Sequence, residues 1–111
     1  MRYAVSAKYK QFCACFEECA EFAIMDVVDN AIVSENFWSS PPKLPGRVSS
    51  WFVDDMKVDA VITGHIDAQT ELLLKEKHIH VVTGAEHQST RKALEEFLAN
   101  SDTSGTFGCG F

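Results

Sequence analysis

The chain has 111 residues, and its 16 acidic and 10 basic residues give a formal charge of −6 at pH 7. This length suits one compact domain, and 46% hydrophobic with 23% charged residues is an ordinary globular composition rather than a disordered one. The acidic balance, without a basic stripe, argues against a nucleic-acid partner, and the apolar runs are too short to span a membrane. Because a strand pattern begins at the N-terminus without a signal-peptide core, we expect a cytoplasmic location.

The first half of the chain predicts three strands. Apolar and alternating runs place strand 1 at residues 2–6, strand 2 at 22–28 and strand 3 at 31–37. Asp29 and Asn30 separate the last two strands, and both residue types tolerate the positive φ of a tight turn, so strands 2 and 3 are predicted to form an antiparallel hairpin. The segment 38–46 contains all three prolines and is predicted to be a linker.

The second half predicts alternating helices and strands. Apolar residues at positions 48, 51, 52 and 56 recur at helical spacing and indicate a helix over 47–57. Short apolar strands are predicted at 58–63 and 79–83, with helices at 68–77, capped by Asp67, and at 89–100. This alternation implies parallel strand pairing through right-handed crossovers. We expect residues 1–100 to form a single domain and the glycine-rich residues 101–111 to form a flexible tail.

Three of the four cysteines, Cys13, Cys15 and Cys19, lie close together after the first strand. In a reducing compartment thiols stay free, and they are then available as ligands for soft metals. Their spacing matches neither paired zinc knuckles nor a C-x-x-C redox motif. An extended stretch followed by a helical turn would let all three sulfurs converge on one guest, whereas the alternative is that Cys13 and Cys19 are small buried hydrophobic residues. The spacing by itself leaves both interpretations open.

Four stretches in the second half of the chain form a recognisable pattern. They are residues 59–67, Asp-Ala-Val-Ile-Thr-Gly-His-Ile-Asp, residues 72–75, Leu-Leu-Leu-Lys, residues 79–85, Ile-His-Val-Val-Thr-Gly-Ala, and residues 93–98, Ala-Leu-Glu-Glu-Phe-Leu. These stretches and the order of elements resemble the dinitrogenase iron-molybdenum cofactor biosynthesis family, and the likeness covers residues 1–100. The resemblance implies a ribonuclease-H-like, three-layer α/β fold. Its mixed five-stranded sheet has the order 3-2-1-4-5 with strand 2 antiparallel, and it carries about three helices.

The resemblance also implies where a site would lie. Its strand order puts a topological switch point between strands 1 and 4, so the loops 13–19, 64–67 and 84–87 should meet at one edge. Where the family usually has Ser-x-His-Phe-Gly, this chain has a thiol at Cys15, which favours Cu(I), iron-sulfur or thiomolybdate guests. The predicted metal ligands are Cys13, Cys15 and Cys19, with His65 secondary and Gly64 allowing close approach of the cluster to the backbone. His87 and Cys109 are further candidates.

The function that the resemblance implies is that of a non-catalytic protein that stores, assembles or delivers a metal-sulfide cluster of molybdenum with iron or copper. It suggests a cofactor-assembly ATPase or an electron-carrier protein as a partner. One alternative is a metal-free interaction module, and another is a thiol-redox protein. A nuclease is disfavoured because strand 1 has no carboxylate for metal-ion catalysis. Monomer and homodimer both stay open, since strand 3 would be an edge strand.

Overall fold

The computed structural model describes residues 1–42, 46–85 and 89–103. Within these ranges the chain forms six strands, three α-helices, a 3-10 turn at Phe16–Glu18 and a π-helical segment at Trp51–Met56 that continues the first helix. The strands are β1 (Arg2–Lys8), β2 (Gln11–Phe12), β3 (Glu21–Val28), β4 (Ala31–Ser39), β5 (Ala60–Ile62) and β6 (His80–Val82). The helices are α1 (Arg47–Ser50), α2 (Ala68–Glu76) and α3 (Thr90–Thr103).

All six strands belong to one mixed sheet of order β4-β3-β1-β5-β6, with β2 paired only to the end of β1. β1 is antiparallel to β3 and parallel to β5, β3 is antiparallel to β4, and β5 is parallel to β6. The α/β class and the mixed sheet are confirmed. Without β2, the five remaining strands lie in the predicted spatial order. The predicted strand count was too low by one, because β2 was not expected. The ribonuclease-H-like assignment stays a prediction.

Helices cover both faces of the sheet. Ala4 of β1 belongs to a buried cluster with Phe52 of the π-helical segment and Leu74 of α2. The next residue, Val5, belongs to a second buried cluster with Leu94 of α3. Because successive side chains of a strand point to opposite faces, the central strand contributes to two cores, one under α1 and α2 and one under α3.

Two predicted local features, a hairpin turn and a helix cap, are confirmed. Asp29 and Asn30 join β3 to β4 with φ angles of 53° and 64°, as a two-residue hairpin turn requires. Asp67 caps α2, since its Oδ2 accepts a hydrogen bond from the Thr70 amide at 3.2 Å. A second pair with positive φ, Tyr9 at 54° and Lys10 at 61°, turns the chain from β1 into the unpredicted β2.

Several predicted boundaries were wrong by one to three residues. Trp38, predicted to lie in the linker, belongs to β4 and pairs with Phe22 of β3. β4 continues to Ser39, and the first residue without an amide hydrogen for strand pairing is Pro41. The helix predicted over 47–57 ends at Met56 and is π-helical in its second part, and Lys57 follows with a φ of 56°. α3 extends three residues into the predicted tail.

The rest of the predicted tail, with Cys109, lies outside the described residues, as do Glu86 and His87. No helix within the described ranges combines the length and the apolar character needed to cross a membrane.

Candidate functional site

The carboxyl ends of the three parallel strands β1, β5 and β6 meet at one edge of the sheet. Backbone pairing continues past the strand ends, because the Thr63 amide donates to the Val82 carbonyl at 2.9 Å and the Gly84 amide donates to the Gly64 carbonyl at 3.0 Å. The segment that follows β2 joins the same edge. As far as the structure describes them, the loops that topology was expected to bring together do meet.

Residues 14–16 are attached to the loop after β5 by three backbone hydrogen bonds. The Ala14 carbonyl oxygen accepts hydrogen bonds from the Gly64 amide at 3.0 Å and from the His65 amide at 2.6 Å, and the Phe16 amide donates to the His65 carbonyl at 2.9 Å. These bonds form a parallel β-bridge between Cys15 and His65. Because bridged backbones lie about 4.8 Å apart, Cys15 and His65 are direct neighbours at this edge.

Two fully buried hydroxyl groups hydrogen-bond to the same segment of the chain. Ser6 of β1 and Thr63 after β5 have their oxygens 2.9 Å apart. Ser6 also reaches the Cys13 carbonyl oxygen at 2.5 Å, and Thr63 reaches the Ala14 carbonyl oxygen at 3.2 Å. Each hydroxyl has one proton, so two of these three contacts are hydrogen bonds at any one time. Sequence reasoning missed this pair, although a serine and a threonine inside apolar strands were a visible signal.

Gly64 is required by the close approach of three chain segments. A Cβ atom at this position would lie 2.9 Å from the Ala14 Cβ atom, the Ala14 carbonyl oxygen and the Ala85 carbonyl oxygen. Contacts of that length are too short for a real side chain, so only glycine allows the segments to meet here. Gly84 has a φ of 85° and open space on its Cβ side.

An open cleft of about 290 Å³ lies above this junction. Ligand pockets commonly measure about 300–1,000 Å³, so this cleft is the size of a small one. Its floor consists of backbone and small side chains, and the His65 side chain is exposed beside it. Its described lining residues are Ala14, Gly64, His65, Gly84 and Ala85.

The three predicted cysteine ligands do not occupy equivalent places. Cys13 is half-buried and its thiol donates to the Cys15 carbonyl oxygen at 3.4 Å. Cys15 is also half-buried, whereas Cys19 is 4% exposed and belongs to the core cluster of Phe16 and Phe22. The Cys19 thiol donates to the Phe16 carbonyl oxygen at 3.0 Å. The structure therefore brings Cys15 to His65 and directs Cys19 into the core.

These side chains do not form a closed site for a single ion. Within the part of the chain that the structure describes, no three histidine, cysteine, aspartate or glutamate side chains are close enough to hold a metal ion together. The ligand roles of the three cysteines and of His65, and the cofactor-binding role of Gly64, stay predictions.

Glu17 is a further residue at the site that sequence reasoning missed. Its Oε2 accepts a hydrogen bond from the Asp67 amide at 3.0 Å, which ties the 3-10 turn to the start of α2. Its Oε1 lies 4.0 Å from the Cys15 sulfur. The position of Glu17 two residues after Cys15 was the available signal.

The family model described as dinitrogenase iron-molybdenum cofactor matches residues 1–100. The chain belongs to this family. The resemblance noted from its sequence motifs is thereby confirmed, and the family description connects the fold with an iron-molybdenum cofactor. No curated protein matches the chain.

Solved structures share the fold of this family member. The crystal structure of PH0822 superimposes with a TM-score of 0.81 at 18% identity and covers 90% of each chain. The protein MJ0327 of Methanocaldococcus jannaschii has a TM-score of 0.73 at 22% identity, covering 90% of this chain and 89% of that one. The apo form of the orange protein from Desulfovibrio gigas has a TM-score of 0.75 at 17% identity, covering 89% and 88%. At such identities the likeness shows the fold alone.

Proposed function

We propose that this protein binds and carries a metal-sulfide cluster of molybdenum with iron or copper, for storage, assembly or delivery, and that it catalyses no reaction of its own. The observation that carries the proposal is the pairing of Cys15 with His65 beside an open cleft at the carboxyl edge of the sheet. Membership of a family described by the iron-molybdenum cofactor supports the same role.

The proposed ligands are Cys13, Cys15 and His65. Thiolate sulfur suits Cu(I) and iron-sulfur species, and imidazole is a common ligand of copper and iron. Cys19 would join them only if its side chain left the core, so its first role here is to pack against Phe16.

A cluster fits this edge better than a single ion. A structural zinc ion needs about four protein ligands, and the described residues contain no group of three that could hold one ion. A metal-sulfide cluster brings its own bridging sulfides, so each of its metals needs fewer protein ligands than a lone zinc ion does. The cleft of about 290 Å³ has room for such a guest.

Delivery requires a recipient and free thiols. We propose a cofactor-assembly ATPase or an electron-carrier protein as the recipient, in a reducing cytoplasm where the cysteines are not oxidised to disulfides. An open cleft allows a guest to pass to such a partner without local unfolding.

Anaerobic purification and reconstitution, followed by elemental analysis and a visible spectrum, test the proposal. We expect a coloured protein because thiolate-to-metal charge transfer absorbs visible light, and proton release on loading because the thiols ionise. The double variant Cys13→Ser/Cys15→Ser should lose both metal and colour. The control Cys19→Ala, which also removes one thiol, should keep both. A colourless, metal-free wild type, or equal metal content in the double variant, would contradict the proposal.

The alternative is a metal-free interaction module, and the edge strand β4 favours it. Val33 is 60% exposed and Trp38 is 49% exposed on this strand. Exposed apolar side chains on an unpaired edge are typical of a docking surface. Capture of a partner protein that is insensitive to metal chelation and to substitution of Cys13 and Cys15, but lost in Trp38→Ser, would favour this alternative.

A further inference from the structure

We propose that Glu17 is a specificity-determining residue, which makes the site around the Cys15 sulfur accept a metal cation ahead of an anionic sulfide species. The inference rests on the proposed function and deepens it, because it concerns the charge of the component that is loaded first. A soft cation such as Cu(I) or Fe(II) would bind before a thiometallate anion.

The Glu17 carboxylate is exposed but held in one place. Its Oε2 accepts the amide hydrogen of Asp67 at 3.0 Å, and this bond keeps Oε1 at 4.0 Å from the Cys15 sulfur. A charge anchored through a backbone amide stays beside the thiol instead of moving freely through solvent. Glu17 therefore acts on whatever Cys15 binds.

At this separation the effect of the charge is measurable. Two unit charges about 4 Å apart in water change an equilibrium constant about fivefold, and more where solvent is partly excluded. A cation bound to the Cys15 sulfur is attracted by the Glu17 carboxylate, whereas a dianion such as tetrathiomolybdate is repelled. The formal charge of −6 on the whole chain acts in the same direction.

The positive end of α2 does not offset this repulsion. A helix N-terminus normally attracts anions through its free amide groups. Here the Asp67 amide is taken by Glu17, and the Thr70 amide is taken by the Asp67 carboxylate at 3.2 Å. The carboxylates of Glu17 and Asp67 thus already accept from amide groups at the start of α2, where an anionic guest would otherwise bind most favourably.

Glu18 provides a matched control for Glu17. It lies in the same 3-10 turn, is exposed and carries the same formal charge. Glu18 donates a hydrogen bond through its backbone amide to the Cys15 carbonyl oxygen at 3.1 Å. Glu17→Gln and Glu18→Gln remove the same charge from the protein, but only the first removes it from beside the sulfur. A glutamine oxygen can still accept from the Asp67 amide, so the fold should be kept.

The first test uses the protein without any metal. In a Cys13→Ser/Cys109→Ser background, Cys15 is reacted at low salt with a dianionic disulfide, 5,5′-dithiobis(2-nitrobenzoate), and with the neutral disulfide 4,4′-dithiodipyridine. The ratio of the two rates cancels any change in thiol ionisation, which enters both rates equally. Glu17→Gln should raise the ratio of anionic to neutral rate about fivefold, and Glu18→Gln less than half as much. At about 0.5 M salt the difference should largely disappear.

The second test loads the otherwise wild-type protein with Cu(I) alone and with tetrathiomolybdate alone, and follows metal content and the visible spectrum. Wild type should bind Cu(I) more tightly, whereas Glu17→Gln should weaken Cu(I) binding about fivefold and strengthen tetrathiomolybdate binding by at least as much, because that ion carries two charges. If wild type loads but Glu17→Gln and Glu18→Gln behave alike in both tests, the inference is wrong and the proposed function stands. If wild type binds neither probe, the proposed function fails and the inference fails with it.

Discussion

At the scale of single residues, Cys15 owes its position to backbone contacts of its neighbours rather than to its own side chain. The Ala14 carbonyl receives two amide hydrogens, and the hydroxyls of Ser6 and Thr63 support the carbonyls of Cys13 and Ala14. Such contacts join residues far apart in the chain, so the spacing of the cysteines could not reveal them.

The buried hydroxyls of Ser6 and Thr63 are expected to contribute unequally to stability. Ser6→Ala removes the donor that reaches the Cys13 carbonyl, and leaving this partly buried carbonyl short of a partner should lower the free energy of unfolding by about 1 kcal/mol. Thr63→Val should cost less, because the Ala14 carbonyl keeps its two amide donors. Urea unfolding of both variants measures the difference. Equal losses would mean that the two hydroxyls do not hold the carbonyls in this way.

Cys19 shows what the sequence could not decide about the site. Spacing allowed it to converge with Cys13 and Cys15 or to be buried, and the structure places its thiol against the Phe16 carbonyl in the core. The choice depends on the 3-10 turn at Phe16–Glu18, which turns Phe16 and Cys19 inward together. That turn has no strong sequence signal, since its residues are a phenylalanine and two glutamates.

At the scale of elements, two hairpin turns show why one was predictable and the other was not. Asp29 and Asn30 are residue types that tolerate the left-handed region, so the turn between β3 and β4 could be predicted from composition. Tyr9 and Lys10 adopt the same region with no such tendency. The pairing of β2 with β1 and the Lys10 amide, which donates to Glu21 Oε1 at 2.8 Å, hold this turn in place.

Because Tyr9 and Lys10 have positive φ angles, substitutions in this turn are expected to raise the stability of the protein. Replacing Tyr9-Lys10 by Asn-Gly, the preferred pair for such a hairpin, should raise the free energy of unfolding by about 1 kcal/mol. Asn30→Gly in the other turn should change it less, because asparagine already tolerates positive φ. Thermal or urea unfolding distinguishes the two. A loss of stability in the Asn-Gly variant would show that the Tyr9 and Lys10 side chains stabilise the hairpin by more than the strain costs.

At the scale of the whole molecule, the edge opposite the cleft is held by Arg2. Its guanidinium donates to Asp26 Oδ1 at 2.7 Å and to the Met56 carbonyl at 2.7 Å, so it joins β1, β3 and the π-helical segment. The hydrogen bond from Arg2 holds the pKa of the Asp26 carboxyl below its usual range, and a hydrogen bond from the Ser34 hydroxyl acts in the same direction.

This ion pair makes part of the stability dependent on pH. Because the pKa of Asp26 is lower in the folded protein than in the unfolded chain, its stabilising contribution is present above about pH 4 and is lost as the pH falls through the folded pKa. Asp26→Asn should lower the free energy of unfolding at pH 7 by at most about 1 kcal/mol, since both partners are more than a third exposed.

The difference between wild type and Asp26→Asn should shrink in urea unfolding experiments between pH 5 and about pH 3. Asp55→Asn, on the exposed side of the π-helical segment, is the control and should show no such convergence with wild type. A gap that stays constant down to pH 3 would contradict the assignment of the effect to Asp26 ionisation.

Five of the six described strands, the three helices, the Asp29-Asn30 turn, the Asp67 cap and the family could be predicted from the sequence, because periodic burial and capping chemistry are local properties that neighbouring residues reveal. Three features of the site emerged from the folded chain: Cys15 lies beside His65, Cys19 faces the core, and Glu17 is anchored next to a thiol. The first and the third depend on hydrogen bonds between segments distant in the chain, whose partners become known only once the parallel strands β1, β5 and β6 align at one edge. The second depends on the packing of the 3-10 turn against the core.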